Sequence, residues 1–161
     1  MTIALYPGSF NPVTVGHADI IERSSKMFDV VIVGILHNSA KKSLFLDIPT
    51  RLAMLKKVTA HLPNVKCVYS DKLLIELTKQ ENVNIIVRGV RGVSDFEIEM
   101  QMAQLNKSLS PNLETIFLPT DPKHSYISST FVREIINYNG DYTSFVPTQI
   151  VDELRKINIL K

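Results

Sequence analysis

Residues 3–17 have the sequence IALYPGSFNPVTVGH, and this stretch decides the fold. Its first four residues are apolar, which predicts a buried β-strand. A loop that contains Gly8 and Gly16 follows, and residues 17–27 then place Ile20 and Ile21 near one face of a predicted helix. A strand, a glycine-containing loop and a helix in this order predict the first unit of an α/β protein.

The same alternation continues to the end of the chain. Near-continuous apolar runs predict four more strands, at residues 30–36, 65–69, 85–87 and 114–118. Helical patterns lie at residues 48–61, 73–80, 94–109, 128–138 and 149–157. Asp47 fits an N-cap before the first of these helices, and Ser94 with Glu97 fits a capping box at the third. The pattern predicts a doubly wound, five-stranded parallel sheet with helices on both faces.

Composition narrows the class of protein. A length of 161 residues, with 45% apolar and 21% charged side chains, predicts a single soluble domain over residues 1–161. We expect a cytoplasmic location, because the N-terminus does not resemble a secretory signal, no apolar run is long enough for a membrane span, and Cys67 is the only cysteine. Eighteen basic and sixteen acidic residues leave a formal charge of +2, which argues against nucleic acid as a partner.

Polar residues and glycines cluster after the predicted strands. In a doubly wound sheet, ligands bind beyond the carboxyl ends of the strands, near the point where strand order reverses. After the first strand, we expect Gly8 to permit a tight turn and Gly16 a close approach to a ligand, while Ser9 supplies a hydroxyl. His17 begins a predicted helix, where backbone N–H groups and the helix dipole favour an anion. A capping or core role is the alternative, and the strand–glycine–helix context favours phosphate binding.

Three further segments follow strands. Lys41 and Lys42 come after the second strand, and the sequence leaves open whether they bind phosphate or belong to a solvated loop. Arg88 and Arg91 stand among glycines after the fourth strand, which predicts a phosphate site, because guanidinium and free backbone N–H groups both donate to phosphate oxygens. Residues 128–130 bring three hydroxyls to a helix start, where an N-cap and a phosphate site are both consistent with the pattern.

The predicted helix at 94–109 has two apolar faces. One face carries Phe96, Met100 and Ala103, and the other carries Ile98, Met102 and Leu105. Only one face is needed for the core of this chain, so we expect the second face to contact another subunit.

Four segments together resemble the bacterial phosphopantetheine adenylyltransferase family, which belongs to the nucleotidyltransferases with a T/H-x-G-H motif. The segments are Gly8–Pro12, Thr14–His17, Arg88–Arg91 and Ile127–Thr130. The resemblance extends over essentially the whole chain, and the arginine segment with residues 94–100 is more specific than the Gly-His motif. It implies a Rossmann-like fold, the use of Mg²⁺ with ATP, and assembly as a homohexamer.

The resemblance also implies roles for individual residues. The donors assigned to catalysis are His17, Lys41, Arg88 and Arg91. The residues expected to bind phosphopantetheine are Ser9, Lys41, Leu74 and Arg88. The residues expected to hold the nucleotide are Ser9, Phe10, His17, Gly89, Val90, Arg91, Glu99, His124, Ser125, Tyr126, Ile127, Ser128, Ser129 and Thr130. The metal ligands stay open.

Two positions depart from the family pattern. Ser9 stands where the family usually has threonine, which keeps the hydroxyl, and Asn11 stands where it usually has aspartate, which removes a charge. We expect activity to survive both changes.

The expected reaction is in-line attack of the phosphopantetheine phosphate on the α-phosphorus of ATP. It yields dephospho-coenzyme A and pyrophosphate, the penultimate step of coenzyme A synthesis. The attacking phosphate, with a second pKa of about 6, is already largely anionic near neutral pH and needs no general base. The alternatives are a sister transferase, acting on nicotinate mononucleotide or making a cytidylyl product, and a nucleotide sensor without turnover. A class I tRNA synthetase shares the Gly-His motif, but 161 residues leave no room for its tRNA-binding domains.

Overall fold

The computed structural model describes residues 1–36 and 45–159, and within them strands and helices alternate as predicted. The strands are β1 (Ile3–Gly8), β2 (Val30–Leu36), β3 (Val65–Ser70), β4 (Ile85–Val90) and β5 (Glu114–Pro119). The α-helices are α1 (Val15–Met27), α2 (Ile48–Val58), α3 (Leu74–Gln80), α4 (Val93–Leu109), α5 (Ser129–Asn137) and α6 (Val151–Ile159). Among the described residues, no helix combines the length and the apolar character that crossing a membrane requires.

The five strands form one parallel sheet in the order β3-β2-β1-β4-β5, which confirms the predicted doubly wound fold. Strand order reverses between β1 and β4. β1 pairs with β2 along its whole length, but with β4 only at Ala4↔Ile85 and Leu5↔Ile86. The two central strands therefore stop pairing before their carboxyl ends, and a crevice opens at the point where such sheets bind ligands.

Alternate residues of β1 face two different layers of helices. Ala4 and Tyr6 belong to the larger core, which also contains buried residues of α1, α2, α5 and α6. Leu5 packs in a second cluster with Leu77 of α3, and Ile86 packs with Leu113, which follows α4. Helices cover both faces of the sheet, and each fully buried leucine or isoleucine contributes about 1.5–3 kcal/mol.

The structure corrects the predicted ends of two strands. β1 continues through Gly8, and β4 continues through Arg88 and Gly89 to Val90. β4 keeps its ladder with β5 as far as Val90↔Pro119 after its pairing with β1 has ended. The arginine segment was predicted to follow β4, and its first three residues instead form the end of that strand.

The predicted helix caps have mixed outcomes. Asp47 is confirmed as the N-cap of α2, because its Oδ1 accepts a hydrogen bond from the backbone N of Thr50 at 2.8 Å. The capping box predicted from Ser94 and Glu97 is wrong, since α4 begins at Val93 and its N-cap is Gly92. The first turn of α4 instead carries Asp95, whose Oδ2 accepts from the backbone N of Arg91 at 3.1 Å.

Candidate active site

A crevice of about 250 Å³ lies at the carboxyl ends of β1 and β4. Its lining comes from the end of β1 and the loop that follows, the start of α1, the end of β4 and the loop that follows, the first half of α4, and the residues that precede and begin α5. The predicted site residues that line it are Ser9, Phe10, His17, Arg88, Gly89, Arg91, Glu99, His124, Ile127, Ser128 and Ser129.

Some predicted site residues lie elsewhere. Val90, Ser125 and Thr130 are not in the lining of this crevice. Tyr126 is also outside it, with a mostly exposed side chain that packs edge-on against Phe145. Lys41, with the rest of the segment after β2, lies outside the described residues.

The β1–α1 loop turns at Phe10, and the tight turn predicted at Gly8 is wrong. Phe10 has a left-handed backbone with φ of 45°, while none of the described glycines has a positive φ. The Phe10 ring lies over Gly8, where a Cβ would approach it to 2.9 Å. The absence of a side chain at Gly8 therefore lets Phe10 pack edge-on against both Tyr6 and His17.

His17 is held in one tautomer by the N-terminus of its own helix. The backbone N of Thr14 donates to His17 Nδ1 at 3.0 Å, and the backbone N of His17 donates to Thr14 Oγ1 at 3.3 Å. This is a capping box, so His17 has the capping role that was considered as an alternative. Since Nδ1 accepts a hydrogen bond, the proton of the neutral ring is on Nε2. Burial, together with Arg91 and Arg88, lowers the pKa of His17 to about 4, so the ring is a neutral N–H donor at physiological pH.

Arg88 is oriented by two partners. Its Nε and Nη2 donate to the two carboxylate oxygens of Glu99, and its Nη1 donates to the backbone O of Pro7 at 2.8 Å. A bidentate pair of this kind fixes the plane of the guanidinium group. Arg88 therefore bridges the gap between β4 and β1, and it also lines the crevice.

Arg91 has its own carboxylate partner, which the sequence reasoning did not assign. Its Nε and Nη2 lie 3.3 and 3.2 Å from the two carboxylate oxygens of Asp95. The i,i+4 spacing of this pair is the signal that was available in the sequence.

The hydroxyl groups at the start of α5 form hydrogen bonds within the protein, and two of these residues also line the crevice. Ser128 is the N-cap, since its Oγ accepts from the backbone N of Phe131 at 3.1 Å. Ser129 Oγ donates to the backbone O of Pro12 at 2.7 Å, and Thr130 Oγ1 accepts from Arg133 at 3.1 Å. The N-cap interpretation is correct for Ser128, and the contact of Ser129 ties α5 to the β1–α1 loop.

A second cavity of about 480 Å³ shares part of its wall with the crevice. Pro7, Gly8, Ser9, Arg88 and Glu99 line both spaces. The remaining wall is mostly apolar and includes Leu36, Leu73, Leu74, Ile75, Ile86, Met102, Leu105 and Leu109. The site therefore consists of a polar space and an apolar space that meet at the end of β1.

Most of the lining of the second cavity was not predicted from the sequence, including Leu73, Met102, Leu105 and Asn106. Met102 and Leu105 belong to the apolar face of α4 that is predicted to contact another subunit, and these two residues line this cavity, whereas Ile98 of the same face does not. Asn106 is only 9% exposed, and within the described residues its carboxamide has no hydrogen-bond partner. An amide that lines the cavity without a protein partner can form hydrogen bonds with a ligand.

Asn11 anchors the far side of the loop. Its Oδ1 accepts from the backbone N of Leu46 at 3.0 Å, and both residues are buried. The bond needs only an oxygen acceptor, which an amide supplies as well as a carboxylate. The usual aspartate of this position can therefore be replaced by asparagine without loss of this contact.

Removal of that acceptor is expected to destabilise the protein. In Asn11→Ala the backbone N–H of Leu46 stays buried without a partner, which lowers the free energy of unfolding by about 1–3 kcal/mol. Asn11→Asp keeps the acceptor and is the matched control. Urea unfolding measures both variants, and an equal loss in the two would contradict this role for Oδ1.

The described residues contain no group of three or more histidine, cysteine, aspartate or glutamate side chains placed to hold a metal ion. The two carboxylates of the crevice, Asp95 and Glu99, are each paired with an arginine.

The fold and the crevice define the class of protein. The sequence model of the cytidylyltransferase-like family matches residues 5–135. The chain also resembles a solved "putative nicotinate-nucleotide adenylyltransferase" from Vibrio parahaemolyticus, with a TM-score of 0.61 and 22% identity over 98% of this chain and 99% of that one. A lipopolysaccharide core biosynthesis protein from Thermoplasma volcanium has a TM-score of 0.55 and 18% identity over 75% of this chain and 97% of that one.

Sequence relatives then identify the particular family. A phosphopantetheine adenylyltransferase of Caldanaerobacter subterraneus is 50% identical over 154 residues, which is 96% of each chain. Enzymes of the same name from two strains of Clostridium botulinum are 46% identical over the same share. The chain belongs to the phosphopantetheine adenylyltransferase family, as the sequence motifs predicted.

Proposed function

We propose that this protein transfers the adenylyl group of ATP to 4'-phosphopantetheine, which yields dephospho-coenzyme A and pyrophosphate. The observation that carries the proposal is the meeting of the polar crevice and the apolar cavity at Ser9 and Arg88. A nucleotide with its phosphates suits the crevice, and an acceptor with an uncharged chain and a terminal phosphate suits the cavity. The α-phosphorus of ATP and the acceptor phosphate would then meet at the shared wall.

The protein groups supply orientation and charge. No base is required, since the acceptor phosphate is already anionic, so rate enhancement comes from in-line positioning and from donors to the phosphoryl oxygens. His17 Nε2–H, Arg88 and Arg91 are the described donors, and Lys41 is the further one that we propose. Bound Mg²⁺ would neutralise phosphate charge. The carboxylates in the crevice lining that could hold the ion are those of Asp95 and Glu99.

The remaining predicted nucleotide contacts are also part of the proposal. Phe10, Gly89 and Glu99, with the crevice residues that precede α5, would hold the nucleotide, and Leu74 would contact the acceptor chain from the apolar cavity. Gly89 has a physical reason to lack a side chain, because a Cβ there would lie 3.1 Å from Ile20. Val90, Ser125, Tyr126 and Thr130 remain predicted contacts that the crevice lining does not include.

The first experiment is pyrophosphate release from ATP with purified protein, Mg²⁺ and a panel of phosphorylated acceptors. Release with 4'-phosphopantetheine alone, together with dephospho-coenzyme A, is the expected result. Release with nicotinate mononucleotide or another acceptor would keep the chemistry and change the substrate. Absence of release with every acceptor would make the protein a nucleotide sensor.

A substitution at Asn106 tests whether the acceptor binds in the apolar cavity. Because the Asn106 side chain lines the apolar cavity and has no hydrogen-bond partner among the described residues, we expect Asn106→Ala to raise KM for phosphopantetheine about tenfold and to leave KM for ATP unchanged. Gln104→Ala is the matched control, since Gln104 is an exposed residue of the same helix. A rise in KM for ATP instead would place the nucleotide in this cavity.

A homohexamer and a cytoplasmic location complete the proposal. α4 leaves Ile98, Met102, Leu105 and Leu109 more than one-third exposed, which is a large apolar surface for one helix. Sedimentation equilibrium measures the molecular mass of the assembly. We expect Ile98→Asp to lower this mass, because it places a charge on the apolar surface. A monomeric wild-type protein would contradict the hexamer.

A further inference from the structure

The buried face of α2 contains a charged residue. Met54, Leu55 and Val58 form its apolar side, and Arg51 continues the same face one turn earlier with only 2% exposure. Removing a guanidinium group from water costs several kcal/mol unless its charge is neutralised. A buried arginine at this position therefore requires an explanation.

The contacts of Arg51 do not neutralise it. Its Nη1 donates to the backbone O of Ser9 at 2.8 Å, and its Nε lies 3.4 Å from the backbone O of Asp47. None of the ion pairs among the described residues includes Arg51. Burial is the largest influence on the pKa of its guanidinium group and lowers it, although the Asp47 carboxylate acts in the opposite direction. The protein thus holds a positive charge directly behind the loop at Ser9.

The Ser9 carbonyl is one of three between Pro7 and Asn11, at the end of β1 and in the loop that follows, that arginines bind. Arg88 binds the backbone O of Pro7 at 2.8 Å, and Arg133 binds the backbone O of Asn11 at 2.6 Å. A loop that receives phosphate must turn its carbonyl oxygens away from the anion, and guanidinium donors are suited to hold them. Arg88 also lines the crevice, whereas Arg51 is too deeply buried to touch a substrate.

We propose that Arg51 is a positioning residue for the transfer: it holds the carbonyl of Ser9 away from the phosphates and places a positive charge, which has no ion-pair partner among the described residues, behind the loop that receives them. The proposal rests on the proposed function, because Ser9 lines both the space assigned to ATP and the space assigned to the acceptor.

Two variants separate the charge from the geometry. Arg51→Met removes both, and we expect affinity for inorganic pyrophosphate to fall about tenfold and kcat about a hundredfold. Arg51→Lys keeps the charge without the planar fork, so pyrophosphate affinity should stay near wild type while kcat falls. Arg23→Met is the control, since Arg23 also donates to a backbone carbonyl, that of Pro119, but is paired with Asp19.

Calorimetric titration with pyrophosphate and steady-state kinetics are the readouts, on protein shown to be folded by circular dichroism. A purely structural role would lower the melting temperature but leave both quantities unchanged in the folded protein, and that outcome for Arg51→Met would overturn the proposal. Where Arg51→Met does not fold, wild-type kcat in Arg51→Lys would overturn it. If the wild type turns over no acceptor, the proposed function fails, while the pyrophosphate titration still tests the charge.

Discussion

Replacement of His17 with alanine is expected to lower kcat about a hundredfold or more, with a much smaller change in KM for ATP. Thr14 fixes the ring so that Nε2–H is the donor, and such a donor gains most when negative charge builds up on the oxygens of the α-phosphate. Steady-state formation of dephospho-coenzyme A measures the effect. His61→Ala is the control, since that histidine is exposed. Near-full turnover in His17→Ala would show that this histidine takes no part in catalysis.

The contribution of His17 to the free energy of unfolding should also depend on pH. The pKa of His17 is about 4 in the folded protein and about 6.5 in the unfolded chain, so the unfolded chain binds more protons between these values. The stabilisation that the neutral His17 ring contributes is therefore fully present above about pH 6.5 and is lost as the pH falls toward 4. Urea unfolding of wild type and His17→Ala at pH 7 and pH 5 should show the difference between them narrowing at the lower pH.

Replacement of Arg88 with methionine is expected to have the second large effect. It leaves the half-buried carboxylate of Glu99 without its partner and the backbone O of Pro7 without its donor. We expect the free energy of unfolding to fall by about 3 kcal/mol and turnover to fall about a thousandfold. Chemical unfolding and the pyrophosphate-release assay measure the two losses separately.

A double variant distinguishes stability from function at this pair. Arg88→Met combined with Glu99→Met removes the unpaired charge, so the free energy of unfolding should recover most of the loss. Turnover should not recover, because the donor to phosphate is still absent. If the double variant regained turnover, Arg88 would act only by neutralising Glu99.

Local sequence predicted the fold well because the central strands of this sheet are covered on both faces. The run at 30–36 is apolar at nearly every position, and the structure places a strand over the same residues. The residues predicted to bind phosphate also lie together, since Ser9, His17 and Arg88 follow or end strands whose carboxyl ends meet at one edge, and all three line the crevice.

What could not be predicted depends on contacts between distant elements. The pairing of Arg88 with Glu99 requires α4 to pack beside β4, and the wall of the apolar cavity requires α3 and α4 to flank it. The tight turn predicted at Gly8 was wrong because the Phe10 ring, and not the backbone, excludes a side chain there. Arg51 was overlooked although its spacing with Met54 and Leu55 placed a charge on a buried helix face.

The short ladder between β1 and β4 has a consequence for engineering. Beyond Leu5 and Ile86 the middle of the sheet behaves as an edge, with backbone groups that Arg88 and a bound nucleotide can use. Substitutions that extended this ladder would raise the melting temperature and, by the same change, fill the space where the substrates meet. Selection for thermostability alone should therefore favour inactive variants with substitutions between the ends of β1 and β4. Engineering for stability should leave residues 6–8 and 87–90 unchanged.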